Sequence, residues 1–502
     1  MSQEKSNSKK QSKLSIEDVL GDEGHLSKLV DGYSARQAQI DMALQIKELI
    51  NDDGTLLAEA GTGTGKTFAY LVPALLSGKK VIVSTATKTL QEQLVHKDLP
   101  ILFKACNVAG KARLLKGRDN YVCPQRLELT ETVEQHSKHD WKKLSEIRSW
   151  VDNKTRTGDK AELESVPEND PIWRKVCARM EFCQSAECNQ ESGCFYPVTK
   201  QKAAEAQVLV VNHHLFCADL ALREQGFGEL LPDADVYIFD EAHQLPDIAA
   251  QFLGFSISRG QLEELTRDIK QAQKIEAPEN IKISDYASLL DEQIKLINDA
   301  LGKWDKRWTW KQLNDEKVFQ VAIKRFMDTL TIVIDELKQV VERGKQLSAV
   351  HKRSQDLLAL TKDWITSQSE NKIRWIESSQ ARFKFNMTPL SVAAPFLRQR
   401  ENIGGAWLFT SATLSVASNF DYFAKRLGLG EAKTSNWPSP FDYQKQGLVY
   451  HPVGLPEPRD ENYTKVMLRA AWPLLKASNG CAFMLFTSHR AMQEAKAILE
   501  SH

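Results

Sequence analysis

The stretch Glu59-Ala60-Gly61-Thr62-Gly63-Thr64-Gly65-Lys66-Thr67 follows a short apolar run, Thr55-Leu56-Leu57, and leads into Phe68-Ala69-Tyr70-Leu71-Val72. That order predicts a strand, a glycine-rich turn and a helix start. Such a turn points successive backbone N–H groups into one concavity, and the helix N-terminus adds the positive end of its dipole. The natural guest is a polyphosphate, cradled by residues Ala60 to Thr67. Lys66 is placed to reach the β- and γ-phosphates, and the Thr67 hydroxyl to hold Mg2+. Ala60 stands where the usual pattern begins with glycine, and it is small enough to keep the turn. A glycine-rich turn that merely precedes Lys-Thr would not need strand, loop and helix in this order.

A second apolar run, Asp235-Val236-Tyr237-Ile238-Phe239, ends in Asp240-Glu241-Ala242-His243. An isolated Asp-Glu after a strand is ordinarily a solvated turn. Beside a phosphate loop it gains a purpose: Asp240 holds Mg2+, directly or through water, and Glu241 orients and activates the attacking water. Lys66, Asp240 and Glu241 are therefore the candidate catalytic residues. Further runs fit the same sheet: Val81 to Thr87, Val208 to Asn212, and Ala406 to Phe409 running into Thr410-Ser411-Ala412-Thr413-Leu414. Strands alternating with helical patterns predict a doubly wound α/β domain with its function at the strand C-termini.

At 502 residues the chain exceeds one ordinary core, and about three or four domains are expected. Lys+Arg and Asp+Glu are equal at 66 each, so any binding to nucleic acid has to come from a local groove rather than from total charge. No apolar run approaches the roughly 18–20 residues that span a bilayer. Residues 1–14 are Ser/Lys/Gln-rich and read as a disordered tail without a signal peptide. With no export signal, the eight cysteines read as thiols of a reduced compartment, and a cluster of them as metal ligands before disulfides. Cys123 precedes Cys183, Cys188 and Cys194, the last three five and six residues apart. Four thiolates hold either zinc or a [4Fe–4S] cluster, and the spacing does not choose between them. Cys177 lies six residues before Cys183 and competes with it on spacing, but it sits in a segment that reads as helical. Cys106, Cys217 and Cys481 read as single thiols that pack as small hydrophobes.

The set Ala60 to Thr67, Thr85-Ala86-Thr87, Asp240-Glu241-Ala242-His243 and Ser411-Ala412-Thr413 resembles motifs I, Ia, II and III of superfamily 2 helicases. Tyr33, Arg36, Gln39 and Met42 resemble the Q-motif of that superfamily, in which Gln39 would read the adenine. Val211-Asn212-His213-His214-Leu215 and the Lys116 to Cys123 segment narrow the resemblance to the XPD/DinG branch, on the side of the bacterial DinG- and YoaA-type helicases. The resemblance implies an ATP- and Mg2+-dependent, 5′→3′ DNA helicase of the bacterial cytoplasm. It also implies a [4Fe–4S] cluster on Cys123, Cys183, Cys188 and Cys194. Single-stranded or forked DNA, repair or fork maintenance, and a contact with a replication clamp-loader subunit follow in the same way, with no membrane partner. Thr85 and Thr87 would touch the phosphate backbone of the DNA, Ser411 and Thr413 would couple the site to the strand, and His243 would relay nucleotide state to motif III.

The domain reading follows from these assignments. Residues 15–111, 206–257 and 387–435 form a RecA-like P-loop motor domain. Residues 112–205 are an iron–sulfur insertion without a core of its own, and 258–386 an all-helical arch. Residues 436–502 begin a second RecA-like domain, with strands at 447–450 and 481–488. In the arch, the Lys303 to Lys311 segment mixes basic and aromatic residues; its tryptophans read equally as base-stacking or as packing side chains. No Q-x-x-G-R core of motif VI follows, so the chain reads as C-terminally truncated, with nucleotide bound and slowly hydrolysed. A nucleotide-switched DNA-binding module without unwinding, and a redox sensor using the cysteines, are the rival readings.

Overall fold

The structure, a computed structural model, describes residues 14–133, 137–178, 193–224, 229–252, 254–302, 306–367, 372–379 and 382–500. It divides into two compact units, residues 1–440 and 441–502.

The first unit is built on a seven-stranded parallel sheet. Its strands are β1 (Thr55–Ala60), β2 (Val81–Thr85), β3 (Ala112–Leu114), β4 (Val208–Asn212), β5 (Val236–Asp240), β10 (Ala406–Ser411) and β11 (Lys433–Trp437). They lie in the order β11-β1-β10-β5-β2-β4-β3. The apolar runs read as continuous because both faces of the sheet are covered. Their alternate residues serve two separate cores. Leu56, Ala58, Val81, Val83, Val236, Ile238 and Leu408 face the helices Gln37–Asp52, Lys66–Ser77 and Leu99–Ala105. Leu57, Ile82, Tyr237, Phe239, Trp407 and Phe409 face the other side, where the Phe239 and Phe409 rings stack with centroids 4.7 Å apart. Two edge strands depart from the sequence reading. β3 belongs to the seven-stranded sheet rather than to the insertion, because it pairs with β4. β11 pairs with β1, so residues 436–437, expected to begin the second domain, belong to this sheet. Both are short, half-exposed edges that carry almost no hydrophobic signal.

The insertion after Lys116 does possess a core, contrary to the expectation. Val122, Leu127, Leu144, Ile147, Trp150, Val166, Ile172, Trp173 and Val176 pack together. The helix Lys138–Asn153 supplies the Leu144, Ile147 and Trp150 stripe, which its surrounding charges hide. The insertion is fastened to the parallel-sheet frame by Lys116. This side chain is 3% exposed and its ammonium lies 2.8 Å from Glu92 and 2.6 Å from Asp159.

The arch is not all-helical. Its helices Arg259–Glu276, Ile281–Leu301, Lys317–Lys338 and Lys345–Thr366 pack on an antiparallel sheet of β6 (Phe255–Ser258), β7 (Lys306–Thr309), β8 (Lys372–Ser379) and β9 (Arg382–Pro389). The order is β6-β9-β8-β7. The Phe383, Phe385, Met387 alternation, all buried, is the strand signal that charged neighbours mask. The sheet also gives two tryptophans packing roles. Trp308 donates from Nε1 to the Ser378 hydroxyl at 3.2 Å, and Trp310 meets Trp364 edge-on at 5.1 Å. Trp304 lies outside the described residues.

In the second unit the helices Tyr463–Ala477 and His489–Glu500 form, but 447–450 and 481–488 carry no strand. Val449, Phe483 and Leu485 are at least 94% exposed. An extended segment becomes a strand only where a neighbour takes up its N–H and C=O groups, and no described segment pairs with these two. No described helix is long and apolar enough to cross a membrane.

Trp150, 4% exposed, tests the insertion core. Trp150→Ala should destabilise that region by about 3–5 kcal/mol. Hydrogen exchange should quicken across 138–176 while β1 and β5 keep their protection.

Candidate active site

Parallel register brings the two sequence motifs together. Ala58 of β1 pairs with Thr410 of β10, and Thr410 pairs with Asp240 of β5, so the phosphate loop and the acidic pair leave the sheet side by side. Two loop glycines are required by close approach. A Cβ on Gly61 would lie 2.5 Å from the Ser439 nitrogen. Gly65, at φ 78°, would place one 2.1 Å from Nε2 of Gln39. Thr64 closes the loop by donating from its hydroxyl to the Gly61 carbonyl at 2.8 Å. Lys66 and Thr67 open the helix Lys66–Ser77, with the Lys66 ammonium donating to the Ala60 carbonyl at 3.1 Å. Thr62 is exposed at the loop tip.

Gln39 is 3% exposed. Its amide donates to the Gly65 carbonyl at 2.9 Å and accepts from the Tyr33 hydroxyl at 3.1 Å. Arg36 donates to the Gly63 carbonyl. In this structure the Q-like segment therefore braces the phosphate loop from behind.

Asp240 is 7% exposed. It accepts from the Tyr70 hydroxyl at 3.2 Å and from the Glu241 N–H at 3.1 Å. Burial pushes its carboxyl up to about 6; the Glu241 charge adds to this and Lys66 opposes it. A buried carboxylate short of counter-charge is a suitable ligand for a divalent cation, with Thr67 the second protein oxygen. Glu241 sits at φ 55°, a left-handed conformation that costs a non-glycine residue about 1–3 kcal/mol. That turn aims its carboxylate at Ser411, whose hydroxyl donates to Oε2 at 3.2 Å. The His243 Nδ1 lies 2.9 Å from the same hydroxyl oxygen and 3.3 Å from Glu241, and the Thr413 N–H donates to Ser411 at 3.2 Å. With the Ser411 hydroxyl donating to Glu241, the imidazole donates to the hydroxyl oxygen from Nδ1. His243 and Ser411 are thus brought to Glu241, and Thr413 reaches Ser411 through its backbone N–H.

The Thr85 side chain is fully buried. Thr87 is exposed and caps the helix Lys88–Gln93 by accepting from the Leu90 N–H at 3.2 Å. Two residues escaped the sequence reading. Tyr70 lies one helical turn after Lys66, and that spacing was the available signal. Glu59 grips the loop after β10, a contact between residues some 355 positions apart that no local pattern announces. His213 is also buried, 2.7 Å from the Ser84 hydroxyl, and burial pushes its imidazole down to about 4.

Of the cysteine set, Cys183 and Cys188 lie outside the described residues. Cys123 is half-buried beside the Val122–Cys177 bridge, and Cys194 precedes the helix Phe195–Ala204. Cys177 is 2% exposed and packs in the insertion core. Among the described residues no three His, Cys, Asp or Glu side chains gather as a metal site.

The raised Asp240 carboxyl makes a signed prediction. The folded protein holds this proton more tightly than the unfolded chain, so the associated stability is present at low pH and lost as pH rises through about 6. Nucleotide-free Asp240→Asn should therefore be about 1–3 kcal/mol more stable than the parent at pH 8. The advantage should shrink towards pH 5, and stabilisation by Mg2+ with nucleotide should be lost. Melting curves at the two pH values, with and without Mg2+ and nucleotide, measure all three effects.

Comparison with known proteins places this geometry. The DEAD/DEAH box helicase family model matches residues 38–138, and the DEAD_2 model residues 102–262. The ATP-dependent DNA helicase YoaA of Escherichia coli is 38% identical over 95% of this chain and 75% of its own length. Its Haemophilus influenzae counterpart is 36% identical over the same shares. The ATP-dependent DNA helicase DinG of Photobacterium profundum is 26% identical over 94% of this chain and 76% of its own. With a phosphate loop, an Asp-Glu-Ala-His turn and a serine bridge converging on one sheet edge, the chain belongs to the YoaA/DinG family of DEAD/DEAH-box helicases.

Proposed function

We propose that the chain hydrolyses ATP between the phosphate loop and the Asp240–Glu241 turn and uses the hydrolysis to move along single-stranded DNA with 5′→3′ polarity. The observation that carries this reading is the His243–Ser411–Glu241 contact. It joins the residue that would activate water to the loop expected to meet the strand, so a change at one is felt at the other.

The chemistry follows from the side chains. The amide cradle and Lys66 take the phosphates, with Lys66 giving up the Ala60 carbonyl. Thr67 and Asp240 would hold Mg2+, which neutralises charge on the β- and γ-phosphates. Glu241 accepts a proton from water as the water oxygen bonds to the γ-phosphorus and the bond to the β-phosphate oxygen breaks. Ser411 and His243 fix the Glu241 carboxylate for this role. Thr87, Ser411 and Thr413 belong to the loops assigned to the DNA side of the sheet.

Cys123, Cys183, Cys188 and Cys194 are proposed to hold a [4Fe–4S] cluster that braces the insertion; the family resemblance and the burial of Cys177 in the apolar core support this set. A second RecA-like domain beginning after residue 440, a role in repair or at forks, a cytoplasmic setting and a clamp-loader contact rest on the resemblance alone.

A strand-displacement assay on forked duplexes with 5′ or 3′ tails tests the reading. Unwinding should require ATP and the 5′ tail. Lys66→Ala and Glu241→Gln should each lower turnover by about 100-fold or more, with Glu241→Gln retaining nucleotide affinity. Nucleotide-dependent DNA binding without strand separation would instead favour a switched binding module. Anaerobically purified protein should be brown; a colourless protein with one zinc per chain would overturn the cluster.

A further inference from the structure

Glu59 lies one residue before the phosphate loop and has no part in the chemistry above. Its carboxylate nevertheless collects more donors than any other acid at the site. Oε2 accepts the backbone N–H of Leu414 at 2.6 Å and of Ser415 at 2.5 Å. Oε1 accepts the Ser415 hydroxyl at 2.9 Å and the Asn436 amide at 3.4 Å. β1 stands between β10 and β11, so this single side chain spans from the loop after β10 to the opposite edge strand. The next residues continue the fastening. The Gly61 N–H donates to the Trp437 carbonyl at 3.0 Å, and the Ser439 hydroxyl donates to the Thr62 carbonyl at 2.7 Å. The segment that begins at Ser411, beside Glu241, and ends at Ser439 is thus held to the phosphate loop at both ends. A carboxylate suits the position because all four partners are donors and it offers only acceptors.

We propose that Glu59 is a positioning residue that ties the Ser411–Ser415 loop to the phosphate loop, so that occupancy of the nucleotide site is transmitted to that loop. Reach is the requirement. A glutamine oxygen can still accept the two backbone N–H groups, whereas aspartate, one methylene shorter, draws the carboxylate away from them.

Two measurements on the full chain decide it, only the second of which rests on the helicase reading. In nucleotide-free protein, hydrogen exchange at Leu414 and Ser415 should quicken about tenfold or more in Glu59→Ala and Glu59→Asp, and less than about threefold in Glu59→Gln. In ATP turnover with single-stranded DNA, Glu59→Ala and Glu59→Asp should lose about tenfold or more in kcat with less than about threefold change in KM, and Glu59→Gln should stay near the parent. Unchanged protection in Glu59→Ala, full DNA-stimulated turnover despite lost protection, or activity kept by aspartate and lost by glutamine would each overturn the proposal. If Glu59→Ala fails to fold, the aspartate–glutamine contrast still decides. A parent protein without DNA-stimulated turnover would defeat the helicase reading, while the exchange result would still stand for or against the bracket.

Discussion

The parallel register of β1, β10 and β5 is the constraint on which the site depends. Pairing Ala58 with Thr410 and Thr410 with Asp240 fixes where three loops begin. A strand shifted by one residue would also turn Phe239 and Phe409 out of one core and into the other. The stacked Phe239–Phe409 and Tyr237–Trp407 rings therefore do more than bury surface: they lock the strands at the alignment that places Lys66 near Asp240. Burial then sets the chemistry. A carboxylate held this far from water in a dense apolar sheet resists ionisation, and the same scarcity of counter-charge makes it receptive to a cation.

The loops at this edge are held by backbone groups more than by side-chain pairs. Gly61 and Gly65 are needed because Ser439 and Gln39 occupy the space where a Cβ would lie. Glycine in such a loop serves the neighbouring chain as well as the phosphate. The left-handed turn at Glu241 has the same logic: its strain is carried by the buried strand before it and by the Ser411 and His243 contacts after it.

The insertions attach to this frame between its strands. One leaves after β3 and returns before β4, and is fixed by the Lys116 ion pairs with Glu92 and Asp159. A lysine removed from water in this way is tolerable only with both carboxylates present, so the attachment is specific to that geometry. The arch leaves after β6 and returns through β9, carrying its own apolar core. Trp308, Trp310 and Trp364 pack in that core: Trp310 meets Trp364 edge-on, and the Arg374 guanidinium lies 4.6 Å from the Trp310 ring.

The five interior strands and the paired motifs were legible in the sequence, because a strand buried on both faces must be apolar throughout and a phosphate loop must have its glycines. The edge strands β3 and β11, the sheet of the arch and the core of the insertion were not. Their hydrophobic residues are few, are interrupted by charge, and become buried only when distant segments meet. The second unit erred in the opposite direction: Cys481 to Leu485 is apolar enough for a strand, yet strand formation needs a partner that composition cannot supply. By itself the sequence determined that a triphosphate-type loop and an acidic turn exist, because each is a local pattern of backbone freedom and charge. Only the tertiary structure decided that Tyr70 and Asp240 touch, that Thr85 is shut away, and that Glu59 holds Leu414 and Ser415, because each joins residues whose separation along the chain carries no information about their separation in space.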